Sequence, residues 1–349
     1  MAAGSTKKMR AWQTVRSGRP SEALVSSPDV APPEPDANTL RLEVLAAGIG
    51  LPDALMCGGS YALTPRLPFT QGQEVVGRIA EIGPDIVGRR VGERVMAVTR
   101  FYTGHGAFAE QCLALDDFCL SVPDDMTDAE AAGFLIPFHT AHIGLIQRGR
   151  LEQGETLLVL GGSGGTGSAA VQLGRALGAR VITTAGGPQK AEFCRELGAD
   201  LVIDHRQEDI AESVRAFTEG EGAHVVYDPV GGDAFRAATR CIAHEGRILV
   251  VGFASGEWAR VETAHLVTQN YSVLGVIPTG YDRAFKEAAQ SRLVEHWRRG
   301  RLRVPIHAFV PFDALPQALE QLQGGGVRGK LVLAVDPDAT APDGTPRRL

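Results

Sequence analysis

The spacing of apolar and polar positions changes rhythm near Thr127. Before that point the patterns are short and alternating. Residues 9–15 read as a first strand. Leu40, Leu42 and Val44 then alternate with Arg41 and Glu43, the period of a half-buried strand. Similar patterns follow at 75–82, 94–98 and 107–114, punctuated by Gly72, Gly77, Gly83, Gly88 and Gly92. Short strands spaced by glycine turns predict a compact, mostly antiparallel unit. Residues 128–148 read as helical, with Pro137 as a break or kink.

Beyond Thr127 strand and helix alternate. Strands at 157–160, 181–185, 201–204 and 224–228 are each followed by a helical stretch, at 168–177, 190–197, 210–217 and 233–243. Two more strands follow at 247–251 and 271–276. This alternation predicts a parallel sheet with right-handed crossovers. After Pro278 the pattern gives a helix at 284–299, a strand at 304–309, a helix at 314–323 and a strand at 331–335. Residues 1–8 read as a flexible extension and 336–349 as a loose tail.

One stretch organises the chain. A four-residue apolar strand, 157–160, runs into Gly161-Gly162-Ser163-Gly164-Gly165-Thr166-Gly167, and a helix is expected from Ser168. Gly162, Gly164 and Gly167 satisfy G-x-G-x-x-G between a strand and a helix, where the motif has meaning. Its glycines permit a tight turn, backbone approach to a pyrophosphate and close helix–strand packing. The second strand leads to Gly186-Gly187-Pro188-Gln189-Lys190. No carboxylate stands there to accept hydrogen bonds from a ribose or to repel a 2′-phosphate. Lys190 offers a counter-charge, or is a solvated helix-end lysine.

Composition narrows the class. The 349 residues suggest two domains, and a formal net charge of -6 does not favour nucleic-acid binding. No apolar run is long enough to span a bilayer, and the N-terminus does not read as a secretory signal, so the expected location is the cytoplasm. The five cysteines are widely spaced with no C-x-x-C pair, which indicates neither a disulfide framework nor a zinc lobe.

The order of motifs resembles the medium-chain dehydrogenase/reductase superfamily, in its zinc-free quinone oxidoreductase (zeta-crystallin-like) branch. The resemblance covers about residues 9–336. It rests on AAGIGLPDALMCGGSY (46–61), LPFTQGQEVVGRIAEIG (67–83), GGSGGTGSAAVQLGRALGA (161–179), VVYDPVGG (225–232), GRILVVGFASG (246–256) and GKLVL (329–333). It implies an α/β chain: a GroES-like β-rich catalytic domain at 1–134 and 278–349, and a Rossmann domain, a doubly wound parallel sheet that binds the cofactor, at 135–277. It also implies NADPH, held by Thr140, Gly162, Gly164, Gly165, Thr166, Gly167, Gly186, Lys190, Val230, Gly252, Phe253 and Arg328. His205 and Arg206 fall where relatives carry a Tyr-Arg pair facing the 2′-phosphate.

Zinc-dependent relatives place a Cys where this chain has Gly50, and a Gly-His-Glu where it has Gly72-Gln73-Glu74. Gly and Gln in two ligand positions leave no closed ligand set, so no metal is expected. Tyr61 matches a tyrosine of the active cleft, where its phenol orients a carbonyl or donates a proton; equally, it packs at a domain edge. Gly50 also replaces an Asn common in relatives, which widens the pocket. Asp53 matches a family aspartate or caps a helix. The implied activity is hydride transfer to a quinone or related electron-poor acceptor. Reduction of enone or enoyl-thioester double bonds, and an NADPH-binding role without turnover, are the alternatives. A homodimer through the strand at 271–276 is implied as well.

Overall fold

The computed structural model describes residues 8–344, so the expected N-terminal extension lies almost wholly outside the described residues, as does the chain beyond 344. The chain divides into two compact units, one holding residues up to 135 and from 306 onward, the other holding 136–305.

In the first unit β1 (Met9–Thr14) runs antiparallel to β2 (Leu24–Val30) across the short helix α1 (Pro20–Ala23). Polar Ser26, Ser27 and Asp29 hide β2 from a periodicity reading. β3 (Thr39–Ile49) is followed by α2 (Leu51–Cys57), β4 (Glu74–Ile82), β5 (Arg94–Thr99) and β6 (Gln111–Ser121). These four strands pair in sequence order, and β6 returns to β3 at residues 39–43, so the sheet closes on itself. The last of these strands begins later than the pattern predicts. Residues 107 and 108 hydrogen-bond back to Gly72 and Gln71, and Trp12 N–H donates to Phe108 O, so they serve several partners rather than one ladder. Thr127 caps α3 (Asp128–Ala132) through a reciprocal pair with Glu130.

α4 (Leu135–His142) starts the second unit, and Ile143–Arg148 continue it as a π-helical turn in which Gly149 N–H donates to Gly144 O at 2.7 Å. The break in this helical region falls at Gly133, not Pro137. Proline is tolerated in a first turn, where its missing N–H has no partner to lose. There follow β7 (Thr156–Val159), α5 (Gly165–Ala176), β8 (Arg180–Ala185), α6 (Pro188–Glu196), β9 (Leu201–Asp204) and α7 (Ile210–Phe217). β10 (Ala223–Asp228), α8 (Gly232–Thr239), β11 (Ile242–Val250), α9 (Thr263–Gln269), β12 (Ser272–Gly275) and α10 (Arg283–Arg298) complete the unit. All six strands are parallel, in the order β9-β8-β7-β10-β11-β12. α8 stops earlier than its pattern suggests because Ile242 already pairs with Ala223. α9 has no buried residue, so it carries no apolar periodicity to read.

The chain then returns to the first unit as β13 (Ile306–Pro311), α11 (Leu315–Gln323) and β14 (Lys330–Ala334), the last antiparallel to β3. The return comes later than the expected 278. α10 buries Ala289 and Leu293, and His139 hydrogen-bonds Gln290 Oε1 at 2.8 Å. Gln172 and the backbone of Arg303 exchange two hydrogen bonds. These contacts assign 278–305 to the parallel-sheet unit.

The expected loose tail is tied down over its first residues. Asp128 Oδ2 accepts from the N–H and hydroxyl of Thr340, and Asp128 Oδ1 is bound by Arg94 at 2.7 Å. Ala339 and Ala341 are buried. Asp128→Ala leaves Arg94 without its carboxylate and frees the tail. Urea denaturation should show a loss of about 3 kcal/mol in the unit that carries it.

Candidate functional site

The parallel strand order reverses direction between β7 and β10, and the crevice beyond the carboxyl ends of the strands at such a switch point is where ligands bind. Here it is a cavity of about 530 Å³ lined by Gly161, Ser163, Thr184, Gly186, Lys190, His205, Arg206 and Val230, among others. On its margin the glycine turn behaves as two kinds of glycine. A Cβ on Gly167 would lie 2.2 Å from Gly161 O, and one on Gly162 would lie 2.0 Å from Thr183 Oγ1. Gly167 permits α5 to press against the end of β7, and Gly162 permits the turn to press against β8. Gly164 meets only Gly161 O at 3.5 Å, so nothing in the protein requires it to lack a side chain. It is also the N-cap of α5 and supplies no side-chain acceptor to the first-turn amides. Open space and uncapped N–H groups suit a pyrophosphate. Gly165, Thr166 and Gly167 form that first turn, so the helix begins three residues before Ser168.

The far end of the cavity is cationic. The acids near it are engaged. Asp204 accepts from the N–H groups of Gly187 and Arg206, Asp209 binds Arg240, and Asp233 binds Arg236. Lys190 and Arg206 have no carboxylate partner among the described residues. Burial, and then the neighbouring Arg206, push the Lys190 ammonium below its ordinary value. Two cations held together without a side-chain ion pair among the described residues suit a phosphate dianion. Gly186 completes this end, because a Cβ there would come within 3.0 Å of Arg206 Nε and 3.1 Å of His205 Nε2. Ser163 and Thr184 escaped the sequence reading. Thr184 Oγ1 accepts from Gly161 N–H and shapes the turn, a role that only pairing of β7 with β8 reveals.

The remaining expected residues are dispersed. Val230 N–H donates to Asp228 Oδ1 at the cavity wall. Gly252 and Phe253 lie on the loop after β11, where Phe253 stacks on Trp258. Thr140 is buried in α4. Tyr61 and Arg328 belong to the other unit, and Arg328 is exposed.

In that unit Tyr61 lies against Phe101, and burial raises its phenol above the ordinary value. Gln73 adjoins it, its side chain drawing the phenol partly back down, with Nε2 buried. Asp53 Oδ2 accepts from Gly50 N–H at 2.8 Å, which caps α2, and Oδ1 accepts from Gly72 N–H at 3.2 Å. Burial raises its carboxyl to about 7. Glu74 pairs with Lys330 at 2.9 Å. Among the described residues no group of three or more His, Cys, Asp or Glu side chains is placed to hold a metal.

Family models describe two segments, an alcohol dehydrogenase GroES-like domain at 36–124 and a zinc-binding dehydrogenase domain at 165–294. The quinone oxidoreductase-like protein 2 homolog of Nematostella vectensis is 32% identical over 84% of this chain and 81% of its own length. A probable oxidoreductase from Mycobacterium abscessus superposes with a TM-score of 0.82 at 34% identity, over 95% of this chain and 100% of its own. The quinone oxidoreductase of Escherichia coli, solved in complex with NADPH, superposes with a TM-score of 0.86 at 26% identity, over 93% of this chain and 99% of its own. The fold and the switch-point cavity are those of an oxidoreductase. The chain belongs to the medium-chain dehydrogenase/reductase superfamily, in its quinone oxidoreductase branch.

The raised carboxyl of Asp53 has a consequence for stability. Its folded value lies above the ordinary 3.8, so the folded chain binds that proton more tightly than the unfolded chain. The contribution is full below pH ~4 and is lost as pH rises to about 7, by at most about 4 kcal/mol. Asp53→Asn removes this titration. Denaturant unfolding of wild type and variant should show the wild type losing stability relative to the variant between pH 4 and 7.5.

Proposed function

We propose that the chain is an NADPH-dependent, zinc-independent oxidoreductase acting on a quinone or a related electron-poor carbonyl acceptor. The pair Lys190 and Arg206, cationic and without a carboxylate partner beside Gly186, carries the cofactor assignment. It matches the 2′-phosphate that distinguishes NADPH, while Gly164 and the first-turn amides of α5 receive the pyrophosphate. Bound NADPH supplies the hydride. The protein's part is to orient the acceptor, and the Tyr61 hydroxyl, with the Gln73 side chain beside it, offers a donor to a carbonyl oxygen. Donor chemistry supports zinc independence: Gly50 has no ligand atom, Gln73 offers an amide, and Glu74 is held by Lys330. No helix among the described residues is long and apolar enough to cross a membrane.

One observation favours a second reading, reduction of a conjugated carbon–carbon double bond. That reaction leaves an enolate needing a proton, and Asp53, protonated up to about pH 7, lies near Tyr61. A panel of quinones and enones, assayed with NADPH in the presence of chelator, separates the two. Turnover of quinones alone supports the first, and turnover of enones alone the second. Loss of all turnover on chelation overturns zinc independence.

The cofactor assignment has its own test. Lys190→Ala should weaken NADPH binding roughly ten- to hundredfold and leave NADH nearly unchanged. Gly186→Asp should shift preference towards NADH, because the new carboxylate would engage Arg206 and repel a phosphate. The measurement is the NADPH/NADH ratio of kcat/KM. Equal weakening of both cofactors by Lys190→Ala contradicts the assignment.

We also propose a homodimer through β12. It is the edge of the parallel sheet, paired only with β11 among the described strands, and it lacks proline and charge. Light scattering at micromolar concentration should return twice the chain mass.

A further inference from the structure

The parallel-sheet unit contains a second cavity, of about 300 Å³, at the opposite end of α5 from the glycine turn. Its apolar wall is Ile146, Leu151, Leu173, Leu177 and Leu293. Leu173 and Leu177 belong to the last turn of α5 and its C-cap, about 12–18 Å along the helix from Gly165. Leu151 precedes β7, so this cavity faces the amino ends of the strands, whereas the cofactor cavity faces their carboxyl ends.

The polar groups here are unusual for an apolar pocket. His142 is 3% exposed and lines the cavity, yet neither ring nitrogen has a hydrogen-bond partner. Burial holds its pKa down at about 4, so near neutral pH the ring is uncharged and carries one unused N–H and one unused lone pair. His296 adds a second buried, unpartnered ring nitrogen, Nδ1. Arg292, exposed beside the cavity, has no carboxylate partner among the described residues, and Glu295, which also lines the cavity, is paired with Arg299. Orphaned buried nitrogens cost folding energy wherever nothing satisfies them, so a group retained in that state is a pointer to a ligand. The π-helical turn at Ile143–Arg148 begins directly after His142 and contributes Ile146 to the wall, and such turns concentrate at functional sites.

We propose that this cavity binds a small amphipathic monocarboxylate, its head on Arg292 and the His142 N–H and its hydrocarbon tail against Leu173, Leu177 and Leu293. A single guanidinium beside neutral imidazoles matches one negative charge. The five aliphatic side chains match a chain of several methylenes, and the volume is at the lower end for ligand pockets. The site is separate from the cofactor cavity and does not depend on which acceptor is reduced.

Isothermal titration of the full chain with sodium octanoate tests this, run without NADPH and at saturating NADPH. The expected result is one site with a Kd of roughly 100 μM, unaltered by NADPH. Arg292→Leu, an exposed substitution that the fold tolerates, should weaken binding at least about tenfold. His142→Phe should weaken it similarly, and 1-octanol, with the same tail and no charge, should bind at least about tenfold more weakly than octanoate. Absence of heat at millimolar octanoate would show that water alone serves these nitrogens and overturns the proposal. Unchanged affinity in Arg292→Leu, equal affinity for octanol, or competition with NADPH overturns it as well.

Discussion

The structure depends on one close approach, that of Gly167 to the carbonyl oxygen of Gly161. A methyl group on Gly167 would sit 2.2 Å from that oxygen. Because it is absent, α5 starts within one turn of the end of β7, and its first amides face the switch point. Gly162, pressed against Thr183, ties the same turn to β8. The tight β7–α5 turn at the edge of the crevice follows from that packing. Gly164 is the exception, since no protein atom explains it.

Charge at the two ends of the switch-point cavity is managed differently. At the glycine turn the positive field comes from backbone amides and needs no ionisable group. At the far end it comes from Lys190 and Arg206, neither of which forms a side-chain ion pair with the nearby Asp204, Asp209 or Asp233 among the described residues. The first unit uses burial instead. Asp53 accepts from two backbone N–H groups, which organises the start of α2, and burial, outweighing those two bonds, raises its carboxyl to about 7.

Where pattern and structure part, the reason is local. β2 is polar and partly solvated, and α9 has no fully buried residue, so neither carries a strong hydrophobic signal. Pro137 looked like a breaker but sits in a first turn, where it costs nothing. The early residues of the tail resemble a solvated linker in composition, yet one buried aspartate, Asp128, binds both Thr340 and Arg94 and orders them.

By itself the sequence determined the alternation of strands and helices, the glycine turn, the lack of an acid after β8, and Gly and Gln in place of metal ligands. Those are properties of residue type and spacing within a few turns of chain. Only the tertiary structure decided which unit owns α10, because that depends on Gln290 meeting His139 across 151 residues of sequence. It alone showed that the acids around Lys190 and Arg206 are occupied, and that the ring of His142 is buried without a hydrogen-bond partner among the described residues. Hydrogen-bond satisfaction is a three-dimensional property, and no spacing along the chain encodes it.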